Sequence, residues 1–168
     1  MSRIPLSRGM SALVDDADAD FVGRFRWHVQ KGPNGLWYAR RTIVSGARKV
    51  SQLMHAALLE AAIVDHINGD GLDNRRENLR PATRSQNMAN RRKLHGLSQF
   101  KGVSWCERDA GWRARITVGG RQIFLGRFAD QESAARCYDA AARAHFGDFA
   151  ALNFPGPGEQ PALFRASA

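Results

Sequence analysis

The sequence predicts an α+β chain: a strand-rich leader, a strand–loop–strand unit closed by a capped helix, and a three-stranded antiparallel sheet packed on one α-helix. Three observations predict it. Short apolar pieces alternate with turn residues over residues 1–50. A brief apolar strand ends at Asp65-His66, runs into a Gly/Asp/Asn-rich loop and returns before Thr83 opens a helix. Beyond residue 100, three strand-like runs precede an alanine-rich helical stretch. A chain of 168 residues accommodates two small domains. Composition divides it into a leader at 1–50, a central segment at 51–95, a sheet domain at 96–155 and a flexible tail at 156–168.

In the leader, apolar pieces at 12–14, 36–39 and 42–44 read as strands, with a turn at Gly32-Pro33-Asn34-Gly35. Asp15, Asp16, Asp18 and Asp20 read as dipole-favouring acids ahead of a short helix over 21–27 rather than as a metal cluster. Leu53, Met54, Ala57, Leu58 and Ala61 recur at helical spacing, which predicts a short amphipathic helix. His55 lies on it, as a core or surface imidazole or as a phosphate contact. Thr83 with Gln86 makes a capping box, so Asn87 is the fourth helical position, with Asn90 and Arg91 on the helix face.

Residues 91–99 show no period and contain Gly96 and Ser98, which places a boundary near residue 96. Strands follow at 102–106, 112–118 and 122–128. Gly119-Gly120 is a two-residue hairpin signal, because both positions tolerate positive φ. Asp130 caps a helix over 131–146, with Glu132 in its first turn and Gly147 as terminator. Small residues on that helix suit close packing on a sheet. The Pro/Gly-rich tail from Pro155 reads as loose.

A formal net charge of +9 favours a polyanionic partner. From Arg84 to Arg127 ten Lys/Arg stand against only Glu107 and Asp109, so the basic footprint falls in the middle of the chain. Cys106 and Cys137 are the only cysteines and form no Cys-x-x-Cys pair, which excludes a zinc ribbon and argues against a disulfide framework. No apolar run is long enough to cross a bilayer. A soluble, monomeric protein of the cytoplasm of a bacterial or phage-infected cell is the expectation, with no membrane and no protein partner implied.

The central segment carries the chemistry. Phosphodiester hydrolysis needs a deprotonated water, a cation on the phosphate oxygens and a stabilised leaving alkoxide. Asp65, His66 and Asn87 can supply the first two: His66 titrates near neutrality, and a carboxylate with an amide carbonyl suits one magnesium ion, with manganese as an alternative. Neighbouring strand residues point to opposite faces, so Asp65 and His66 share a site only if the strand ends there, as Asn68-Gly69-Asp70-Gly71 suggests. Asn78 suits a loop-holding role through side-chain to backbone bonds, and Arg91 suits a phosphate clamp. A calcium loop fails, since Ile67 and Leu72 fall where oxygen ligands are required.

Asp65-His66-Ile67-Asn68-Gly69, Asn78-Leu79-Arg80 and Asn87 resemble the HNH endonuclease family, in its phage and homing branch where Asn replaces the last His. The resemblance covers residues 50–93. It implies a ββα-metal centre with His66 as general base, Asp65 and Asn87 as metal ligands and Asn78 as loop organiser.

A second resemblance covers residues 99–155. Lys101-Gly102-Val103-Ser104-Trp105, Trp112-Arg113-Ala114-Arg115-Ile116, Phe124-Leu125-Gly126-Arg127-Phe128, the run 134–141 and Leu152-Asn153-Phe154-Pro155 are similar to the plant Apetala-type, ethylene-responsive-factor DNA-binding domain. That resemblance implies a sheet laid in the DNA major groove with a helix behind. Strand alternation puts Arg113, Arg115 and Thr117 on one face. Lys101, Arg108, Arg121 and Arg127 are candidate phosphate contacts, and Trp105 a sugar contact or core residue. Ser104 and Arg115 depart from the plant pattern, so the plant target sequence does not carry over. Together these expectations describe a metal-dependent, nicking endonuclease of double-stranded DNA, with a non-catalytic transcription regulator as the rival and an RNA binder third.

Overall fold

The computed structural model describes residues 1–33, 35–91 and 97–162, with helices and strands mixed throughout. Asn34 of the first turn and residues 92–96, where the boundary is expected, lie outside the described residues, as do 163–168. Backbone contacts group the chain into two units, Met1–Ala82 and Thr83–Ala168.

In the first unit β1 (Ser2–Pro5) and β2 (Ser11–Val14) form an antiparallel hairpin, followed by α1 (Asp16–Gly23). The helix starts at the aspartates rather than after them. Asp15 takes extended backbone at the N-cap position, and Asp16 and Asp18 enter the first turn, where carboxylates favour the helix dipole. Next, β3 (His28–Lys31), β4 (Trp37–Ser45) and β5 (Arg48–Leu53) form an antiparallel sheet in that order. The apolar pieces at 36–39 and 42–44 merge into this one strand, because Arg40 and Arg41 alternate across its faces without breaking the pleat.

α2 (Met54–Leu59) buries Met54, Ala57 and Leu58 against a core that includes Val14, Val22, Trp27, Val29, Val64 and Leu79. β6 (Val64–His66) pairs antiparallel with β7 (Leu79–Pro81), with the loop 67–78 between them. The loop leans on the sheet: a Cβ at Gly71 would lie 2.4 Å from the Trp37 carbonyl oxygen and 2.5 Å from the Tyr38 ring, so only glycine allows this approach.

The second unit opens with α3 (Arg84–Ala89), whose capping box is complete: Thr83 Oγ1 accepts from Gln86 N at 3.2 Å and Gln86 Oε1 from Thr83 N at 2.8 Å. Its Ala89 enters a core with Ile116, Tyr138, Ala142 and Phe146. Lys101 Nζ donates to the Ala89 carbonyl, and Gly119 N donates to Ser85 Oγ at 3.2 Å. β8 (Val103–Cys106), β9 (Gly111–Val118) and β10 (Arg121–Phe128) form an antiparallel sheet ordered β10-β9-β8, and the Gly119-Gly120 turn has φ of +57° and +80°.

α4 (Gln131–Phe146) is capped by Asp130, whose Oδ1 accepts from Ser133 N at 2.8 Å, and it presents Ala134, Ala135, Tyr138 and Ala142 to Ala114 and Ile116. Buried Asp139 accepts from the backbone N–H groups of Asn153 and Phe154 at 2.9 and 2.8 Å, fastening β11 (Ala151–Leu152) to the helix. Residues 156–162, which composition reads as loose, are tied through the Arg143–Glu159 ion pair at 2.7 Å and the parallel pairing of β11 with β12 (Gln160–Pro161). Among the described residues no helix is long and apolar enough to cross a membrane.

Candidate active site and nucleic-acid interface

β6 ends at His66 because Gly69 N turns back to the His66 carbonyl at 2.9 Å. The loop after it is built from short polar side chains that bond their own neighbours, as Asx-type turns do. Asn68 Oδ1 accepts from Asp70 N at 2.8 Å, and Asp70 Oδ1 from Leu72 N at 3.0 Å. Asn78 spans the loop from inside: its Oδ1 accepts from Asn68 N at 2.9 Å and its Nδ2 donates to the Asp73 carbonyl at 2.7 Å. Asp73 binds Asn68 Nδ2 at 2.9 Å and holds Arg75 at 2.7–2.9 Å, which draws its carboxyl below the usual range, the Arg75 hydrogen bond being the main cause. Asn74 is fully buried, and its backbone joins the loop to β2, with Asn74 N donating to Leu13 O at 2.8 Å.

His66 is 7 % exposed. Burial pulls its pKa below the ordinary histidine value, while the Asn74 amide and the carboxylates of Asp65, Asp70 and Asp73 act in the opposite direction. The imidazole is therefore neutral at neutral pH, the form that accepts a proton. Its ring stands 4.7 Å from that of His55, edge to face, and Tyr38 lies 5.9–6.0 Å from both. His55 is equally buried, and its Nδ1 makes no hydrogen bond among the described residues. Burial, reinforced by His66, lowers its pKa to about 3. Spacing alone could not distinguish this contact with His66 from a surface phosphate contact.

Asp65 is 3 % exposed and sits opposite Arg80 across the β6–β7 pair, its Oδ2 accepting from Arg80 Nε at 2.9 Å and lying 2.8 Å from Nη2 in an ion pair. His66, the last residue of β6, pairs with Leu79, so the strand ends directly after the Asp65-His66 pair. Asn87, half-buried, and exposed Arg91 belong to the second unit, in α3 and just beyond it. Among the described residues no three His, Cys, Asp or Glu side chains gather around one point. The Asp65 carboxylate is a hard oxygen donor, and any cation it met would share its charge with Arg80.

In the second unit cross-strand pairing collects Ser104, Arg113, Arg115, Thr117, Gln122, Phe124 and Arg127 on the face of the sheet away from Ala114 and Ile116. Asp109 organises one end: it binds Arg113, lies 3.5 Å from Arg127 and 3.8 Å from Arg108. Arg113 is the main cause of its lowered carboxyl pKa. Arg115 Nη1 reaches Gln122 Oε1 at 3.4 Å, and Arg121 is exposed beside the hairpin turn. Trp105 pairs with Trp112 on the helix side, ring centroids 5.1 Å apart, so it is not on the arginine face. Phe124, 58 % exposed among these polar groups, escaped the sequence reading, although its pairing with Arg115 follows from counting back across the turn.

Residues 58–89 match the family model for HNH endonuclease, which takes in Asp65, His66, Asn78 and Asn87. An uncharacterised HNH endonuclease of Acanthamoeba polyphaga mimivirus is 27 % identical over 151 residues, 87 % of this chain and 76 % of the viral one. An AP2/ERF and B3 domain-containing protein of Oryza sativa subsp. japonica is 44 % identical over 59 residues, 35 % of this chain and 16 % of the plant protein. The chain is thus similar to HNH endonucleases over residues 58–89 and, over its C-terminal part, to AP2-domain proteins. The AP2-like ethylene-responsive transcription factor ANT of Arabidopsis thaliana is 36 % identical over 85 residues, 46 % of this chain. The chain thus spans three-quarters of its viral relative's length but 16 % and 15 % of these two plant proteins.

Proposed function

We propose that the HNH–AP2-like chain is a metal-dependent endonuclease that nicks double-stranded DNA. The observation that carries this reading is His66, a buried neutral imidazole at the end of a strand, facing a loop that Asn78 holds in shape. His66 takes the proton from the attacking water. Asp65 and Asn87, the ligands that the HNH resemblance implies, would hold a divalent ion, magnesium or manganese, and that ion would supply Lewis-acid stabilisation of charge on the phosphate and leaving oxygens. The sheet face of Ser104, Arg113, Arg115, Thr117 and Phe124 lies in the major groove. Arg91, Lys101, Arg108, Arg121 and Arg127 take phosphates, and domain limits of 51–95 and 96–155 serve this division of labour.

Supercoiled plasmid incubated with magnesium is converted to the open circle, and His66→Ala abolishes the conversion while leaving DNA binding intact. Equal nicking by both proteins contradicts the proposal. The Asp65–Arg80 pair favours a second reading, in which the HNH segment is scaffold for a transcription regulator, because a carboxylate already neutralised has less to offer a metal. Duplex binding with no metal-dependent cleavage selects that reading.

A further inference from the structure

Residues 21–59 contain seven Lys/Arg and not one Asp or Glu. The structure gathers part of this charge on one projection. β3 pairs only with Trp37–Arg40 of β4, whereas β4 and β5 continue together from Thr42↔Ser51 to Ser45↔Arg48 around a turn at Gly46-Ala47. Residues 42–51 are exposed on both faces of this two-stranded ribbon. Ile43 and Val50 face one side with Arg48, and Val44 and Lys49 face the other. Ile43, Val44 and Val50 are 37 %, 63 % and 53 % exposed, and among the described residues the side chains of Arg48 and Lys49 make no hydrogen bond or ion pair.

A bare two-stranded ribbon is marginally stable in water, and apolar side chains on both of its faces add nothing to the core. Guarding a sheet edge against pairing would account for Lys49, but not for the three bare aliphatic residues beside it. Four cross-strand pairs extend roughly 14 Å, and a two-stranded ribbon is about as wide as the major groove admits.

We infer that the β4–β5 ribbon is a second DNA-binding element, inserted in a groove of the duplex with Arg48 and Lys49 on phosphates and Ile43, Val44 and Val50 against sugars and base edges. The inference rests on duplex DNA being the substrate and extends the footprint to the unit that carries His66. The ribbon's affinity is independent of sequence, since its cations are unanchored and its other side chains are aliphatic.

The full-length protein carrying Arg48→Gln and Lys49→Gln tests this by fluorescence anisotropy on a labelled duplex without metal, over a range of KCl concentrations. Losing two phosphate contacts raises Kd about ten-fold and lowers the slope of log K on log salt by about 1.8. Val44→Ser with Val50→Ser weakens binding without changing that slope. Wild-type Kd and slope in the charge variant overturn the inference, as does a charge variant that loses a self-association seen by sedimentation in the wild type, which would assign the ribbon to a second copy. Arg115→Ala separates the two claims: if it alone weakens binding, the AP2-like reading stands and the ribbon falls. A wild type that holds no duplex overturns both.

Discussion

The loop between β6 and β7 and the arginine face of β8–β10 build function in opposite ways. In the loop, Asp73, Asn74 and Asn78 are withdrawn from water and close hydrogen bonds within a few residues of one another. On the sheet, Ser104, Thr117, Phe124 and Arg127 remain in solvent, and the one organising acid, Asp109, binds arginines whose positions it steadies. On the proposed function, the buried network would fix atoms for chemistry and its members would be costly to remove, whereas the exposed face would contribute affinity and its members could be removed one at a time.

The loop is most sensitive at Asn78. Asn78→Ala leaves the Asn68 N–H and the Asp73 carbonyl without their partners, a loss of roughly 2–5 kcal/mol by the cost of unmade buried hydrogen bonds. Urea unfolding should show it, with nicking lost in parallel; a variant as stable as wild type would mean that the loop holds itself. Acid is the next largest perturbation. His55 has a folded pKa of about 3 against 6.5 when unfolded, so the unfolded chain takes the proton first, and the stability present above pH 6.5 falls as pH drops towards 3. Melting temperatures followed across that range should fall in wild type and less steeply in His55→Phe.

On the sheet, the sharpest probe is Asp109→Ala. It frees Arg113 and Arg127 and removes a negative charge from the proposed DNA face, so affinity for random duplex should rise a few-fold, discrimination between sequences should fall, and stability should change by less than about 1 kcal/mol. Competition binding against random DNA measures it, and unchanged discrimination would deny Asp109 its organising role. The smallest effect is that of His55→Phe at neutral pH. It removes a buried nitrogen that has no partner among the described residues and keeps a ring beside His66, for a change of about 1 kcal/mol or less, in the stabilising direction. A larger loss would place that nitrogen in a hydrogen bond essential to the fold.

What was legible in the sequence was local. Thr83 with Gln86, Gly119-Gly120 and Asp130 each decide a cap or turn within four residues, and the structure places helices and a hairpin at those positions. The candidate site was legible as residue types: an Asp-His pair at a strand end and an Asn at the return. Its surroundings were not. Asp15 and Asp18, read as helix-dipole acids, also grip Arg76 at 2.8 Å from 61 and 58 residues away, helping to hold the base of the loop. Asn74 lies in the loop that was read, but nothing in its neighbours says that β2 will close over it.

The sequence by itself determined the order of elements, the HNH and AP2-like motifs and the excess of positive charge, since these depend on residue identity and on hydrogen bonds between near neighbours. Tertiary structure alone decided that His55 and Tyr38 wall in His66, that Arg80 neutralises Asp65, that Asp109 gathers three arginines and that the β4–β5 ribbon stands bare. The physical reason is the same in each case. Burial, pKa shifts and ion pairs depend on distances in space, and those are set by segments that periodicity and capping rules treat one at a time.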